Sequence, residues 1–182
     1  MKSLYEALMA RRADLCGEYA ATADVERLGM YLKDASAEFL LRIYRELPVC
    51  RMETTFVVRS GRAYAPGPEF GVDYDAEQDH GFYWASPLDI LEEVNDGALG
   101  AIAFQTGFVR IGLCVYGGDG YFLSREPGPP RATPLFRLYY DWISYPDRHD
   151  PPVPPQAIHL LHGSFESILA VANFEHGWMP DH

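Results

Sequence analysis

The amino-acid sequence predicts an α+β fold in which helices come first, a sheet forms the centre and one helix closes the chain. Apolar residues recur at helical intervals between Leu4 and Leu47, whereas from Arg51 onward they alternate with polar residues as in strands. In the segment 108–124, two apolar runs flank a cluster of glycine and aspartate, which is the pattern of a β-hairpin. We therefore expect N-terminal helices, a central mixed but mostly antiparallel sheet of about six strands, and a C-terminal closing helix.

The helical part of the pattern predicts three helices before the sheet. Each begins at a residue whose side chain can accept a hydrogen bond from the first helical turn. The predicted helices are 4–20 with a capping box of Ser3 and Glu6, 24–28 capped by Asp24 and ended by Gly29, and 36–47 capped by Ser36 and stopped by Pro48.

The later elements are predicted from alternation, from proline and glycine breaks and from helix caps. An N-cap serine followed by proline, Ser86-Pro87, predicts a helix that ends at Gly97, and Ser164 predicts the cap of the closing helix. Residues 66–81 are expected to form a loop, and the tail from Glu175 is expected to be frayed. Besides the hairpin, the predicted strands are 52–58, 62–65, 82–84, 101–104, 135–140 and 158–161.

The glycines between the two hairpin strands, Gly117, Gly118 and Gly120, are interpreted as a structural turn. Phosphate binding by such a loop requires a helix N-terminus directly after it, whereas this sequence predicts a strand there. At least one of Gly118 and Gly120 is expected to have a positive φ. Valine at that position would then cost about 1–3 kcal/mol through backbone strain.

Length and composition predict a single domain over residues 1–182. A chain of 182 residues with 48% hydrophobic residues can bury a core of its own. No stretch approaches 18 uninterrupted apolar residues, and the N-terminus has no apolar segment of the secretory type. The three cysteines are far apart and have no CxxC spacing, so we expect unpaired thiols, no bound metal and a cytoplasmic protein.

The net charge of −11 is unevenly distributed along the chain. Residues 1–62 contain 10 Lys+Arg and 9 Asp+Glu, whereas residues 63–182 contain 5 arginines, no lysine and 17 Asp+Glu. Direct nucleic-acid binding by the second part is excluded, because phosphate contacts require clustered cations. Either a basic protein partner or a merely solvated acidic surface would account for this charge.

A partner-binding surface is predicted where carboxylates alternate beside aromatic residues. The aromatic anchors expected beside it are Phe70, Tyr74, Phe82 and Trp84. The carboxylates predicted to contact the partner are Asp73, Asp75, Glu77 and Asp79, followed by Glu92, Glu93, Asp96 and Asp119.

Several patterns that could carry chemistry are better explained by structure. His159 and His162 lie on a predicted strand without a third metal ligand, and Arg148-His149-Asp150 lies in a proline-rich loop without a nucleophile motif. The acidic segment 73–79 lacks the central glycine and closing glutamate of a calcium loop. We therefore expect no catalytic residue, no metal and no cofactor.

Four segments in order resemble motifs of the SUKH superfamily, the Smi/Knr-type domains. Within residues 25–47, the resemblance depends on Glu26, Leu28, Gly29, Leu32, Phe39 and Leu40. The hairpin segment 111–123, with Gly118 or Gly120 in its turn, is similar to the central element of that superfamily. LFRLYYDWIS and GSFESIL are similar to its aromatic-acidic strand and its closing helix. The resemblance covers about residues 24–170.

The resemblance implies an α+β domain without a known catalytic centre. Many bacterial SUKH members are immunity proteins that bind and block a polymorphic toxin, often a nuclease or deaminase. We therefore expect a non-enzymatic immunity protein whose partner is a basic toxin domain. The alternatives are a regulatory adaptor, and an enzyme or small-ligand-binding protein with an unrecognised pocket under residues 66–81.

Overall fold

An antiparallel sheet of seven strands organises the computed structural model, which describes residues 3–33, 38–57, 79–95, 98–115, 120–124, 133–138 and 158–177. The strands are β1 (Met52–Val57), β2 (Asp79–Trp84), β3 (Phe108–Cys114), β4 (Gly120–Ser124), β5 (Leu135–Leu138), β6 (Ile158–His162) and β7 (Asn173–His176). Their order across the sheet is β6-β5-β4-β3-β2-β1-β7, and every neighbouring pair is antiparallel. The predicted α+β class is confirmed.

Six α-helices occur in the same part of the chain. They are α1 (Leu4–Ala10), α2 (Thr22–Leu32), α3 (Glu38–Glu46), α4 (Pro87–Asn95), α5 (Ala98–Gln105) and α6 (Phe165–Leu169). None of these helices is long and apolar enough to cross a membrane. The predicted caps form at three of them, with Ser3, Ser86 and Ser164 each accepting a hydrogen bond from a backbone N–H of the first turn.

The core lies between these helices and one face of the sheet, which we call the inner face. Phe82, Trp84 and Tyr121 point into it and are fully buried, and Phe165 of α6 packs 5.8 Å from the Trp84 ring. The indole Nε1 of Trp84 donates to Thr54 Oγ1 at 2.8 Å, so this buried donor is satisfied inside the sheet. Aromatic stacking and paired polar groups together hold β1 and β2 against the helices.

The N-terminal helix is much shorter than the predicted helix 4–20, because a tertiary contact competes with it. After α1 and a 3-10 turn over Arg12–Asp14, the chain extends alongside Cys50. Glu18 N donates to Cys50 O at 2.8 Å, and Cys50 N donates to Glu18 O at 3.0 Å. A Cβ added at Gly17 would lie 2.7 Å from Cys50 O, so the backbones approach too closely for a helix there.

The second helix is longer than predicted, and Gly29 lies inside it. α2 ends at Leu32, and its C-cap Lys33 has a left-handed conformation with φ 49. A Cβ at Gly29 would lie 3.3 Å from Leu41 Cδ1, so the glycine allows α2 to pack closely on α3. The prediction of a terminal glycine was therefore wrong, because packing rather than capping requires it.

The predicted strand 101–104 is wrong, since these residues belong to α5. A short apolar run cannot by itself distinguish a buried strand from a buried helix. α5 forms a hairpin with α4, and Gly100 allows the two helices to touch, because a Cβ there would lie 2.8 Å from Glu93 Cβ. β2 also begins at Asp79, inside the predicted loop 66–81.

The tail predicted to be frayed contains a strand. β7 follows α6 and pairs with β1, so a strand and not a helix is the last element described. Pairing with β1 orders four residues whose own sequence has no strong β pattern. This strand takes the seventh position in the sheet, and none of the predicted strands corresponds to it.

The hairpin of β3 and β4 forms where it was predicted, although Gly117 and Gly118 lie outside the described residues. Gly120 opens β4 in pairing with Leu113, so it lies in a strand and not in the turn itself. The positive φ of Gly118 stays a prediction. In β3, Gly112 is required for another reason, because a Cβ there would lie 2.3 Å from the Phe82 ring.

Candidate functional site

A row of side chains crosses the outer face of the sheet, the face opposite the core. Leu113 pairs with Tyr83, Tyr83 pairs with Glu53, and Glu53 pairs with Glu175. Directly paired residues of antiparallel strands point to the same side, and Tyr83 follows the inner-facing Phe82. Four strands therefore present an aliphatic, an aromatic and two acidic side chains in one line.

Among the residues that the structure describes, the outer face is buried at one side of the sheet and accessible at the other. At β4 and β5 the outward residues Phe122 and Phe136 are buried, with exposures of 0% and 5%. At β1 and β7, by contrast, Val57 is 53% exposed and Glu175 is exposed. We call the accessible part the open face, and it consists of Glu53, Thr55, Val57, Tyr83, Leu113, Asn173 and Glu175.

The two carboxylates of the open face lie directly opposite each other. Glu53 of β1 pairs with Glu175 of β7, and like charges in this position disfavour strand pairing. Among the ion pairs formed within the described ranges, none includes either residue. Two acidic residues in register do not hold β1 and β7 together by attraction, and a cation from outside would be attracted to both.

The Tyr83 ring is held in place by the residue that follows β7. A Cβ added at Gly177 would lie 2.7 Å from Tyr83 Cδ1 and 2.3 Å from Arg51 O. The absence of a side chain there lets the backbone of residue 177 pack against the half-buried ring. An aromatic group fixed in one position loses little conformational entropy on binding.

The structure places three of the eight predicted partner-binding carboxylates. Asp79 is the first residue of β2 and pairs with Val57 of the open face. Glu92 is exposed on α4, whereas Glu93 forms an ion pair with the buried Arg110. The carboxylates that lie outside the described residues are Asp73, Asp75, Glu77, Asp96 and Asp119.

Two of the predicted aromatic anchors belong to the core instead. Phe82 and Trp84 have exposures of 0%, so they cannot contact a partner. Phe70 and Tyr74 lie outside the described residues. The alternation of β2 points Tyr83, between the two buried rings, toward the open face, and this residue is the accessible aromatic of the strand.

The predictions from the sequence did not include Glu53 and Glu175, the two acidic residues of the row. Glu53 and Thr55 alternate with the buried Met52, Thr54 and Phe56, so period-two alternation already indicated an outward carboxylate in β1. The pairing of Glu175 with Glu53 had no such signal, because the two residues are far apart in the sequence.

A histidine, a serine and a glutamate meet at the start of α6 without forming a catalytic triad. Ser164 Oγ donates to Glu166 Oε2 at 3.0 Å, while His162 Nδ1 lies 3.0 Å from the backbone N of Ser164. Both Glu166 oxygens accept from Thr133 N at 3.1 Å. The imidazole therefore contacts the backbone of the serine. Activation of a nucleophile would require a contact with the serine hydroxyl instead. These contacts cap α6 and join it to the segment just before β5.

All three cysteines lie within the part of the chain that the structure describes. Cys16, Cys50 and Cys114 are free thiols. Burial raises the pKa of the Cys50 thiol to about 12, so it carries almost no thiolate at neutral pH. Within the ranges that the structure describes, no three His, Cys, Asp or Glu side chains are grouped so that they could hold a metal ion.

No family model, no curated protein and no solved structure matches this chain.

Proposed function

We propose that this chain is a non-enzymatic immunity protein of the SUKH type, which binds a basic toxin domain through the open face. The observation that carries the proposal is the row of Leu113, Tyr83, Glu53 and Glu175. An apolar and aromatic centre beside carboxylates is suited to a protein partner, because the rings provide contact area and the charges provide orientation.

The charge of the chain supports a basic partner. The −12 balance of residues 63–182 generates a negative potential that accelerates association with a cationic surface. Nuclease domains have cationic surfaces because they bind phosphates. Carboxylates can bind the same cationic side chains in place of the phosphates. Binding of this kind blocks the substrate site of the toxin without any catalysis by the immunity protein.

The resemblance to the SUKH superfamily supports the proposed fold more than it supports the choice of the open face as the binding surface. Its motif residues Leu28, Leu32 and Leu40 are buried, with exposures of 0%, 1% and 0%. Gly29 of the same motif packs against Leu41. Residues of this kind maintain a core, whereas immunity proteins must differ on the surface that recognises their toxin. Of the open face, only Leu113 lies within a segment of the resemblance, the hairpin segment 111–123.

If a toxin-like gene lies next to this gene, its product tests the proposal. We expect the toxin domain to lose at least tenfold in affinity for the double variant Glu53→Lys/Glu175→Lys, and we expect the remaining affinity to depend less on salt. The matched control is Glu92→Lys, which reverses an exposed carboxylate on α4, away from the row. Thermal unfolding of each variant shows whether the fold is retained.

One outcome would contradict the assignment of the binding surface to the open face, and another would contradict the proposed function itself. If Glu92→Lys weakens binding and the double variant does not, the partner contacts α4. A joint replacement of Asp73, Asp75, Glu77 and Asp79 by serine tests the acidic segment in the same assay. A gene without a toxin neighbour, and a protein without a binding partner, would favour the adaptor or the small-ligand alternative.

A further inference from the structure

β7 forms one end of the sheet, and its only strand neighbour in the described part of the chain is β1. Asn173, Glu175 and His176 are exposed, while Phe174 is half-buried. The ring of Phe174 packs under the guanidinium of Arg11, 4.9 Å away, on the inner side. The strand is thus anchored by its inward side chain, and three of its four residues are exposed.

Two hydrogen bonds reveal which backbone groups of β2 point toward β3. Val115 N donates to Gly81 O at 3.0 Å, and Ala85 N donates to Ile111 O at 2.9 Å. Successive residues of an antiparallel strand direct their N–H and C=O groups to opposite neighbours. Gly81, Tyr83 and Ala85 therefore bond to β3, so the residues between them bond to β1.

The same alternation continues from β2 to the edge of the sheet. Phe82 bonds to its partner Thr54 in β1, so Glu53 directs its backbone groups toward β7 and its partner Glu175. In β7, consequently, Glu175 bonds to β1, and the N–H and C=O groups of Phe174 and His176 point outward. These groups are a template for an additional antiparallel or parallel strand.

The negative charge beside β7 determines which kind of strand can be added to this edge. A residue added beside Glu175 would extend the row of Glu53 and Glu175, and Lys or Arg at that position would relieve the repulsion between the two carboxylates. A second copy of this chain is disfavoured, because each copy has a net charge of −11. The edge therefore favours an extended basic segment of another protein.

We propose that the partner binds by adding an extended, lysine- or arginine-bearing segment to β7. This inference rests on the proposed function and specifies how the contact is made: backbone hydrogen bonds to Phe174 and His176 provide affinity, and Glu175 selects a cationic side chain. The open face then extends across the added strand, with Tyr83 and Leu113 near its centre.

The test uses a capped eight-residue peptide of alternating lysine and threonine as the probe, with a glutamate–threonine peptide of the same length as its control. We expect the lysine peptide to bind and to slow amide hydrogen exchange of Phe174 and His176 at least tenfold. The amide of Glu175, already bonded to β1, should change much less. No binding of the lysine peptide, equal binding of both peptides, or binding without this alternating protection would overturn the proposal.

A matched pair of variants isolates the backbone contact. His176→Pro removes the outward N–H at an edge position where proline is tolerated, and His176→Ala removes only the side chain. We expect the proline variant to bind the lysine peptide at least fivefold more weakly than the alanine variant. Equal affinities would refute the role of the edge. Hydrogen exchange on the unaltered protein decides the matter if the proline variant does not fold.

The toxin domain distinguishes the inference from the proposed function. If it binds the unaltered chain and His176→Pro equally well, the edge inference fails and the function stands. If no toxin domain binds while the lysine peptide pairs with β7, the edge exists but its partner is of another kind.

Discussion

Replacement of Glu93 by glutamine is expected to destabilise the fold, whereas the same replacement of Glu92 is not. Arg110 is 3% exposed, and its Nη1 lies 2.5 Å from Glu93 Oε1. Its Nε also donates to Gly112 O at 3.4 Å, a long and weak contact. Glu93→Gln removes the negative charge and leaves a buried guanidinium without a counter-ion. Glu92 is exposed on the same helix and makes a close control.

The magnitude depends on how well water can replace the lost carboxylate. Removal of one partner of a fully buried ion pair costs about 3–5 kcal/mol. Glu93 is 31% exposed, so water reaches its position in part, and we expect a loss of about 2–3 kcal/mol. Glu92→Gln should change the free energy of unfolding by no more than about 0.5 kcal/mol.

Urea unfolding followed by tryptophan fluorescence measures both changes. The buried Trp84 reports on loss of the core. The double variant Glu93→Leu/Arg110→Met removes both charges and should be more stable than Glu93→Gln alone, since no unpaired ion remains. Equal stability of the Glu92 and Glu93 variants would refute the reasoning. Equal stability would also mean that Glu93 is free to serve in partner binding, as the sequence predicted.

Two further predictions concern the segment before β1. The pKa of Cys50 is raised by burial from 9.0 to about 12, so its contribution to stability is complete below pH 9 and is lost as the pH rises toward 12. Between these pH values, the free energy of unfolding measured in urea should fall more steeply with pH for the unaltered chain than for Cys50→Ala. The difference in slope should be at most about 1.4 kcal/mol per pH unit. Parallel plots of the free energy against pH for the two proteins would contradict this. Arg51 has φ 59, where a side chain is strained, so Arg51→Gly should be more stable than Arg51→Ala by about 1 kcal/mol in the same assay. An alanine variant of equal or greater stability would show that the turn is not strained.

Local interactions explain why part of the fold was predictable. The caps of α1, α4 and α6 involve residues three positions apart, so Ser3, Ser86 and Ser164 could be recognised from neighbours alone. The hairpin of β3 and β4 was equally recognisable, because two apolar strands surround one glycine-rich turn. Period-two alternation also predicted the inward residues of β1.

Contacts between distant residues decided the rest. α5 was mistaken for a strand because its apolar run suits either structure until α4 packs beside it. β7 has no strong β pattern, and it becomes a strand because the edge of β1 offers hydrogen bonds to it. The helix predicted over 4–20 ends early because Glu18 pairs with Cys50.

The sequence by itself determined the α+β class, the capped helices, the hairpin and the acidic character of the second part of the chain. Only the tertiary structure decided which carboxylates lie together. It buried Phe82 and Trp84, turned Tyr83 outward, paired Glu93 with Arg110 and set Glu53 opposite Glu175. The physical reason is strand register: a shift by one residue would move every side chain of a strand to the other face, and register is fixed by pairing across the whole chain.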